Sequence, residues 1–253
     1  MNKFSALHQQ ATALVICNVW DVASAKTAEK LGFNAIGTSS AAIANMLGYE
    51  DGEGMSFEEV LFIVKRIVAC CDLPLTVDIE AGYSDDPLTT ANYIKALTEA
   101  GVVGVNLEDS KVTGARTLLN AEIFADYLSK VRQQLTKGKI NIFINVRTDT
   151  FLLAQENALV ETQKRASLYQ SAGADGLFVP CITAVDDIQA VVSATKLPVN
   201  VMCMPDLPDF NTLSTLGIKR ISMGNFLFDK LQNDFEVTLK NIVNKNCFSP
   251  VFN

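Results

Sequence analysis

The chain has 253 residues, of which 49% are apolar and 19% are charged, with 21 basic and 28 acidic side chains. This length and composition are typical of one α/β barrel and exclude a disordered chain. A net charge of −7 without any basic stripe argues against a nucleic-acid partner. No apolar run has the roughly 20 residues that a membrane helix needs. Because the N-terminus does not resemble a signal peptide, we expect a cytoplasmic protein that has no membrane partner.

The cysteine and histidine content excludes several kinds of chemistry. The six cysteines form no Cys-x-x-Cys pair, and His8, in a polar N-terminal stretch, is the only histidine. We therefore expect free thiols in a reducing compartment. Zinc sites and the Ser-His-Asp and Cys-His mechanisms are disfavoured, because each needs a histidine in the site.

Short apolar runs that alternate with helical patterns predict the fold. The runs are nearly continuous in apolar character, as expected for parallel strands buried on both faces. Eight such βα units without a linker predict a single-domain (β/α)8 barrel over residues 1–253. An open doubly wound sheet is the alternative, but no Gly-x-Gly-x-x-Gly follows any strand. The predicted strands are 14–17, 35–38, 75–78, 104–107, 142–146, 176–179, 199–202 and 220–223.

Helix-start signals agree with this alternation. Ser56 opens a capping box, and Asp86 followed by Pro87 supplies an N-cap and a first-turn proline. Further helices are predicted from Asn120 and from Thr183. The two longest connections, 39–55 and 109–119, follow the carboxyl ends of strands. Barrel active sites lie at that face.

Three carboxylates are predicted to converge at this face. Asp78 and Glu80 are two residues apart on one strand and project the same way, and Glu108 ends the next strand. Such a group repels itself unless a cation neutralises it. Hard oxygen ligands favour Mg²⁺, with Mn²⁺ second. The alternative is that the three carboxylates are helix caps or ion pairs with Arg147.

Other polar residues at the strand ends predict an anion site. Arg147 offers a planar fork for a carboxylate or phosphate, and it can also form a structural salt bridge. Ser39 and Ser40 either cap the next segment or bind an anion through backbone N–H groups. No strand ends in lysine, which disfavours a Schiff-base aldolase. The remaining strand-end candidates are Trp20, Asp21 and Asn200.

An ordered set of short motifs resembles the isocitrate lyase/phosphoenolpyruvate mutase superfamily. The motifs are NVWD at 18–21, GTSSA at 37–41, GYEDG at 48–52, VDIEAG at 77–82, NLED at 106–109, NVRTD at 145–149, AGAD at 172–175 and PVN at 198–200. Each is weak alone, but together they span nearly the whole chain. The resemblance implies a barrel enzyme that forms a dimer or tetramer, with the last helix often exchanged between subunits.

The resemblance also implies roles for individual residues. The chemistry it implies makes or breaks a bond next to a pyruvate enolate, with Mg²⁺ stabilising the developing charge. Trp20 and Asp21 are implied to line the pocket. By motif match, Mg²⁺ is held, partly through water, by Asp51, Asp78, Glu80 and Glu108, and substrate carboxylates are bound by Ser39, Ser40, Ala41 and Arg147.

The loop after the fourth strand departs from the pattern of the isocitrate lyases. Those enzymes carry Lys-Lys/Arg-Cys-Gly-His there, whereas residues 109–120 read DSKVTGARTLLN. The Lys-x-Asn-Ser of the phosphonate-handling members is also absent. We therefore expect no useful cleavage of isocitrate or methylisocitrate. Lys111 or a metal-bound water is expected to move the proton, and Gly114 lets the loop bend into a lid.

These observations predict a Mg²⁺-dependent lyase or hydrolase that cleaves a C–C bond in a small 2-oxo or 2-hydroxy diacid. An oxaloacetate-hydrolase-like reaction, with Asp51, Arg147 and Lys111 as catalytic residues, is one form of it. The first alternative is C–P chemistry on phosphonopyruvate or phosphoenolpyruvate, in which Lys111 and Arg116 serve a phosphoryl group. The second is a non-catalytic 2-oxo acid binding protein, which fits the missing cysteine.

Overall fold

Eight parallel strand positions form a closed barrel in the computed structural model, which describes residues 3–252. The first position is interrupted at Ile16 and therefore consists of two short strands. The first of these pairs with the last strand of the barrel, and the second pairs with the next strand along the chain. This confirms the eight predicted strands and the barrel. The strands are β1 (Leu14–Val15), β2 (Cys17–Val19), β3 (Ile36–Thr38), β4 (Leu75–Asp78), β5 (Gly104–Glu108), β6 (Ser110–Thr113), β7 (Ala115–Leu118), β8 (Phe143–Arg147), β9 (Gly176–Val179), β10 (Val199–Met202) and β11 (Arg220–Ser222).

Helices surround the barrel, and three of them begin at the predicted caps, whereas the helix predicted from Thr183 begins at Val185 without a side-chain cap. The side chains of Ser56, Asp86 and Asn120 each accept a hydrogen bond from a first-turn N–H. No helix within residues 3–252 is both long and apolar enough to cross a bilayer. The helices are α1 (Lys3–Leu7), α2 (Val22–Lys30), α3 (Ser40–Leu47), α4 (Phe57–Val68), α5 (Pro87–Glu99), α6 (Ala121–Lys137), α7 (Ala158–Ala172), α8 (Val185–Ser193), α9 (Phe210–Thr215) and α10 (Phe226–Lys245), followed by a 3-10 turn, Ser249–Val251.

The connection after β5 is a hairpin rather than an irregular loop. Strands β6 and β7 pair antiparallel, and Gly114 at the tip has φ 86°, a left-handed conformation that glycine adopts without cost. The two longest connections predicted from the sequence therefore contain regular structure. Residues 39–55 include α3, and residues 109–119 include this hairpin.

A layer of buried amides lies inside the barrel below its carboxyl end. Asn145 Nδ2 donates to Asn106 Oδ1 at 3.0 Å and to Asn200 Oδ1 at 3.1 Å, and Asn200 Nδ2 donates to Ser222 Oγ at 3.1 Å. Because these polar groups satisfy one another, they can be buried at little cost. They form a rigid floor beneath the mouth of the barrel.

Candidate active site

A cavity of about 270 Å³ opens at the carboxyl ends of the strands. Its walls come from several elements: the start of α3, the 48–56 connection, the end of β4, the β6–β7 hairpin and the end of β8. Its polar lining includes Ser39, Ser40, Asp51, Asp78, Arg116 and Arg147. The barrel thus brings together residues that are more than a hundred positions apart in sequence.

Three carboxylates lie at and behind the wall of this cavity: Asp78 is half-buried, and Glu80 and Glu108 are buried. Asp78 lines the cavity and accepts a hydrogen bond from Ser40 Oγ at 3.0 Å. Burial raises its pKa. Burial, reinforced by the charge of Asp78, raises the pKa of Glu80 to about 8. Burial also raises the pKa of Glu108 to about 7, although Arg147 opposes that shift. These acids therefore lack full charge compensation from the protein alone.

Glu80 is held by Glu53 from a neighbouring loop and by Tyr83 from its own turn. Glu80 Oε2 accepts a hydrogen bond from the backbone N–H of Glu53, and Tyr83 N donates to Glu53 Oε1 at 2.7 Å. All three residues have left-handed backbone, with φ values of 63° at Glu53, 49° at Glu80 and 57° at Tyr83. Such conformations are costly for non-glycine residues and persist where surrounding contacts impose them. The reciprocal bonds provide that constraint.

Arg147 combines the two roles that its position at the end of β8 allows. Its Nη1 lies 3.0 Å from Glu108 Oε2, and its Nε and Nη2 donate to the two oxygens of Asp149 at 2.6 and 3.1 Å. Burial disfavours the guanidinium charge, but Glu108 and Asp149 outweigh it and hold the pKa of Arg147 above its usual value. Arg147 is therefore a fixed cation that also lines the cavity.

A second guanidinium reaches the same carboxylates from the hairpin. Arg116 Nη1 contacts Glu108 Oε1 and lies 3.1 Å from Ser110 Oγ, and its Nη2 donates to Asp51 Oδ2 at 2.9 Å. Its Nη1 is also 3.4 Å from Asp149 Oδ2. Glu108 is thus flanked by a cation on each oxygen.

The N-terminus of α3 contributes backbone donors to the cavity. Ser39 is the N-cap, and its hydroxyl accepts from Ala42 N at 3.3 Å. The N–H groups of Ser40 and Ala41 precede the first intrahelical hydrogen bond and so have no acceptor within the helix. Both residues line the cavity. Such a helix start attracts an anionic group.

The donor set fits a hard divalent cation. Five carboxylates lie around three guanidiniums, so two negative charges remain in excess when all of these groups are ionised. The guanidiniums are those of Arg116, Arg147 and Arg220, which is buried below the cavity. The carboxylates are Asp51, Asp78, Glu80, Glu108 and Asp149. Within residues 3–252, no three of these side chains converge closely enough to enclose an ion directly. Mg²⁺ tolerates this, because it keeps several waters and commonly uses one or two carboxylates.

The structure does not bring every predicted residue to this cavity. Lys111 pairs with Asp85 and lines a different cavity between the hairpin and α6, and it also lines a small cleft with Glu80 and Glu108. Trp20 and Asp21 line a larger apolar cavity of about 550 Å³ between α2 and α10. Asp21 caps α2 by accepting from Ser24 N at 2.7 Å. Asn200 is fully buried in the amide floor.

Sequence reasoning missed two residues that the structure places at the site. Asp149 follows Arg147 by two positions and forms an ion pair with it. A spacing of two is typical of side chains on the same face of a strand, and it could have indicated this contact. Arg116 was predicted only as a phosphoryl contact in the C–P alternative. Nothing local in the sequence indicates that the hairpin turns its guanidinium toward Glu108.

Comparisons with known proteins agree with the barrel fold. An uncharacterized protein of Mycobacterium tuberculosis (strain ATCC 25618 / H37Rv) is 34% identical over 222 residues, covering 88% of this chain and 81% of its own. A crystal structure of a phosphonomutase candidate from Burkholderia cenocepacia J2315 is 37% identical, with a TM-score of 0.87 over 94% of this chain and 97% of that one. An oxaloacetate decarboxylase of Bradyrhizobium sp. (strain ORS 278) is 28% identical over 209 residues, covering 81% and 70%.

A more distant structure shares the fold. A phosphonopyruvate hydrolase in complex with oxalate and Mg²⁺ is 18% identical, with a TM-score of 0.83 over 98% of this chain and 88% of that one. The sequence model of the phosphoenolpyruvate phosphomutase family matches residues 4–243. The chain therefore belongs to the phosphoenolpyruvate phosphomutase family, within the superfamily of enzymes that includes lyases, hydrolases and mutases of small acids.

Proposed function

We propose that this protein is a Mg²⁺-dependent lyase or hydrolase that cleaves a C–C bond in a small 2-oxo or 2-hydroxy diacid, through a pyruvate-enolate-like intermediate. The observation that carries the proposal is the joint placement of a fixed guanidinium, Arg147, and the free N–H groups of Ser40 and Ala41 around one 270 Å³ cavity with an excess of carboxylates. The cavity is small enough to select a metabolite with few carbon atoms.

The chain's own groups account for binding and for stabilisation of charge. Asp51, Asp78, Glu80 and Glu108 would hold Mg²⁺, partly through water, and the ion would supply positive charge for a developing enolate. Arg147 binds the carboxylate next to the 2-oxo carbon through its planar fork. The N–H groups of Ser40 and Ala41 point their dipoles at the same end of the ligand, where they require no reorganisation during the reaction.

Proton transfer falls to Asp51 in this proposal. Asp51 lines the cavity, and Arg116 Nη2, at 2.9 Å from its Oδ2, fixes its orientation. Asp51 takes the proton from the hydroxyl on the 2-carbon, or from the water that adds to a 2-oxo carbon, and that carbon forms a new C=O bond as the C–C bond breaks. The electron pair of the broken bond passes to the other fragment, which leaves as an enolate and then takes up a proton. Lys111 was proposed for this step from sequence, but its ion pair with Asp85 lies in another cavity.

C–P bond chemistry is the second candidate. Its support is the second guanidinium at the cavity, Arg116, which suits a phosphonate, together with the similarity to the phosphonomutase candidate from B. cenocepacia. The two candidates differ in the products that they release. Phosphorus-31 NMR with phosphonopyruvate, run beside proton NMR with oxaloacetate, separates them.

We also propose that the protein works as a homo-oligomer, a dimer or tetramer, joined through α10. Of the 20 residues of this helix, only Phe228 is buried. Its apolar side chains recur every four residues and so form one stripe. An apolar stripe left in solvent favours a second copy of the chain as its partner. The stripe comprises Leu227, Leu231, Phe235, Leu239 and Val243.

The test is turnover of a panel of 2-oxo and 2-hydroxy diacids with and without Mg²⁺. We expect activity on a member of the panel other than isocitrate, its loss in EDTA and its return with Mg²⁺ or Mn²⁺. Asp78→Asn should remove the activity. The control is Asp206→Asn, the same change at an exposed position on the loop after β10. Binding of oxalate without turnover of any member would instead assign a non-catalytic 2-oxo acid binding protein.

A further inference from the structure

Arg116 holds an unusual position for a residue on a surface hairpin. Its side chain is only 15% exposed, and carboxylates from three different parts of the barrel surround it. Those carboxylates are Asp51, Glu108 and Asp149. Both Glu108 and Asp149 also bind Arg147. Glu108 does so through Oε2, and Asp149 does so through both of its oxygens, of which Oδ2 also faces Arg116. The site therefore contains a pair of guanidiniums on opposite sides of Glu108.

The hairpin holds Arg116 at the cavity without help from a ligand. Val112 packs so closely on Gly52 that a Cβ at Gly52 would lie 2.6 Å from the Val112 side chain. On the outer side, Lys111 pairs with Asp85. At the base, Leu119 N donates to Asp109 O at 2.8 Å. These contacts fix the hairpin along β6 and at its base, so the guanidinium is pre-organised.

Arg116 keeps N–H donors that no protein acceptor within residues 3–252 occupies. The guanidinium carries five N–H groups. Nη1 contacts Glu108, Ser110 and Asp149, and Nη2 makes a single bond to Asp51. Within residues 3–252, Nε and the second hydrogen of Nη2 donate to no protein acceptor. Arg116 lines the cavity. Its free donors are therefore available to a molecule bound there.

We propose that Arg116 is the specificity-determining residue for a second oxyanionic group, at the end of the substrate away from its 2-oxo unit. This inference rests on the proposed function, in which Arg147 and the start of α3 bind the 2-oxo acid end. A second acidic group would meet repulsion from Asp51 and Asp78, and a fixed cation beside them offsets that repulsion. A carboxylate and a phosphonate share this chemistry, because both present paired oxygens to a guanidinium fork.

The experiment compares ligands that differ in the second acid. Oxamate presents only the 2-oxo acid end, and N-oxalylglycine adds a distal carboxylate to the same core. Both are titrated calorimetrically into the full chain in Mg²⁺ buffer, and phosphonopyruvate, in competition with oxamate, represents the distal phosphonate. We expect the wild type to bind at least one two-acid ligand about tenfold or more tightly than oxamate, a difference of about 1.4 kcal/mol. Which one it prefers assigns the carboxylate or the phosphonate.

Variants assign that preference to Arg116. The readout is the ratio of two-acid affinity to oxamate affinity within each protein, so that any change in Mg²⁺ binding affects both ligands alike. Arg116→Gln should lower this ratio to about one, while Arg116→Lys should retain part of the preference. Thr117→Ala, the exposed neighbour on the same strand, is the matched control and should keep the full preference. A wild type that binds oxamate and the two-acid ligands equally would overturn this inference and leave the proposed function standing. So would an Arg116→Gln protein that retains the preference. A wild type that does not bind oxamate at all would overturn both.

Discussion

The hydroxyl of Tyr83 donates a hydrogen bond to Glu80 Oε1 at 3.1 Å, although the two residues lie in one tight turn and both have left-handed backbone. Burial raises the pKa of Tyr83, so its hydroxyl stays protonated and serves as a permanent donor or acceptor. The N–H of Glu53 donates to the other oxygen of Glu80, so the two donors fix the orientation of this carboxylate. Burial makes the ionised form of Glu80 unfavourable. Glu80 is thus held in place despite its electrostatic disadvantage.

Glu80→Gln should therefore stabilise the metal-free protein. A glutamine Oε1 can accept from the fixed Glu53 N–H, and its Nε2 can donate to the Tyr83 hydroxyl, which can rotate to accept. The variant removes a carboxylate whose pKa burial and Asp78 raise to about 8. In EDTA at pH 8 we expect the melting temperature to rise by several degrees, about 1 kcal/mol or more of unfolding free energy.

The same variant should respond less to metal than the wild type. Titration with Mg²⁺ raises the melting temperature of a protein that binds the ion only when folded. We expect a clear rise for the wild type and a much smaller one for Glu80→Gln. Glu58→Gln, an exposed position on α4, is the control and should match the wild type in both measurements. A fall in stability without metal would show that the ionised form of Glu80 is the favoured one.

Arg147→Lys should lower kcat/KM by about tenfold or more, a loss of about 1.4 kcal/mol of transition-state stabilisation. Lysine keeps the charge, but it cannot bind Glu108, Asp149 and a ligand carboxylate at once, because it lacks the planar fork. Steady-state kinetics on the substrate found in the diacid panel gives the value. Oxamate affinity should fall in parallel, and unchanged kinetics would assign Arg147 to a purely structural ion pair.

The sequence predicted the barrel because each strand is a continuous apolar run between helix signals, and such local patterns survive folding. It also placed Asp51, Ser39 to Ala41, Asp78 and Arg147 on one cavity, because parallel strands bring their carboxyl ends to one edge. Asp51 and Ala41 came from the resemblance rather than from the strand pattern.

The orientation of side chains beyond the strand ends could not be predicted in the same way. Trp20 and Asp21 directly follow a strand, yet they turn toward α2 and α10 rather than the central cavity. On the hairpin, the alternation of a two-stranded ribbon sends Lys111 to Asp85 and Arg116 to Glu108. That distinction depends on the register of β6 against β7, which the sequence, interpreted as an irregular loop, did not supply.

Negative charges on the α10 stripe should lower the oligomeric state. Leu231 and Phe235 are 53% and 60% exposed and lie one turn apart. In the Leu231→Glu/Phe235→Glu protein, a partner would have to bury two carboxylates, which is costly. Light scattering after size exclusion should report a smaller species than the wild type. The control, Gln232→Glu/Asn233→Glu, adds the same charge beside the stripe and should leave the mass unchanged. A wild type that elutes as a monomer would contradict the proposal.

The single histidine makes the pH dependence of stability open to a direct test. His8 is only 2% exposed, stacks on Phe143 with ring centroids 4.4 Å apart, and has its Nδ1 3.1 Å from Phe4 O. Burial first, and the nearby charge of Arg220 second, lower its pKa from 6.5 to about 4. Between pH 4 and pH 6.5, His8 is therefore protonated in the unfolded chain but neutral in the folded protein. The contribution of His8 to the unfolding free energy is therefore complete above pH 6.5 and is lost as the pH falls toward 4.

Replacing His8 by phenylalanine should remove this contribution while preserving the stack on Phe143. We expect the difference in unfolding free energy between pH 7 and pH 4.5 to be smaller in His8→Phe than in the wild type, by up to about 3 kcal/mol. Urea denaturation at both pH values gives the two differences. The carboxylates with raised pKa have the opposite effect on the pH dependence of stability, because the folded protein binds their protons more readily. Their contribution is the same in the variant and the wild type, so it cancels when the two proteins are compared. An NMR titration of the one imidazole signal provides the independent check. A midpoint near 6.5 in the folded protein would contradict the burial argument.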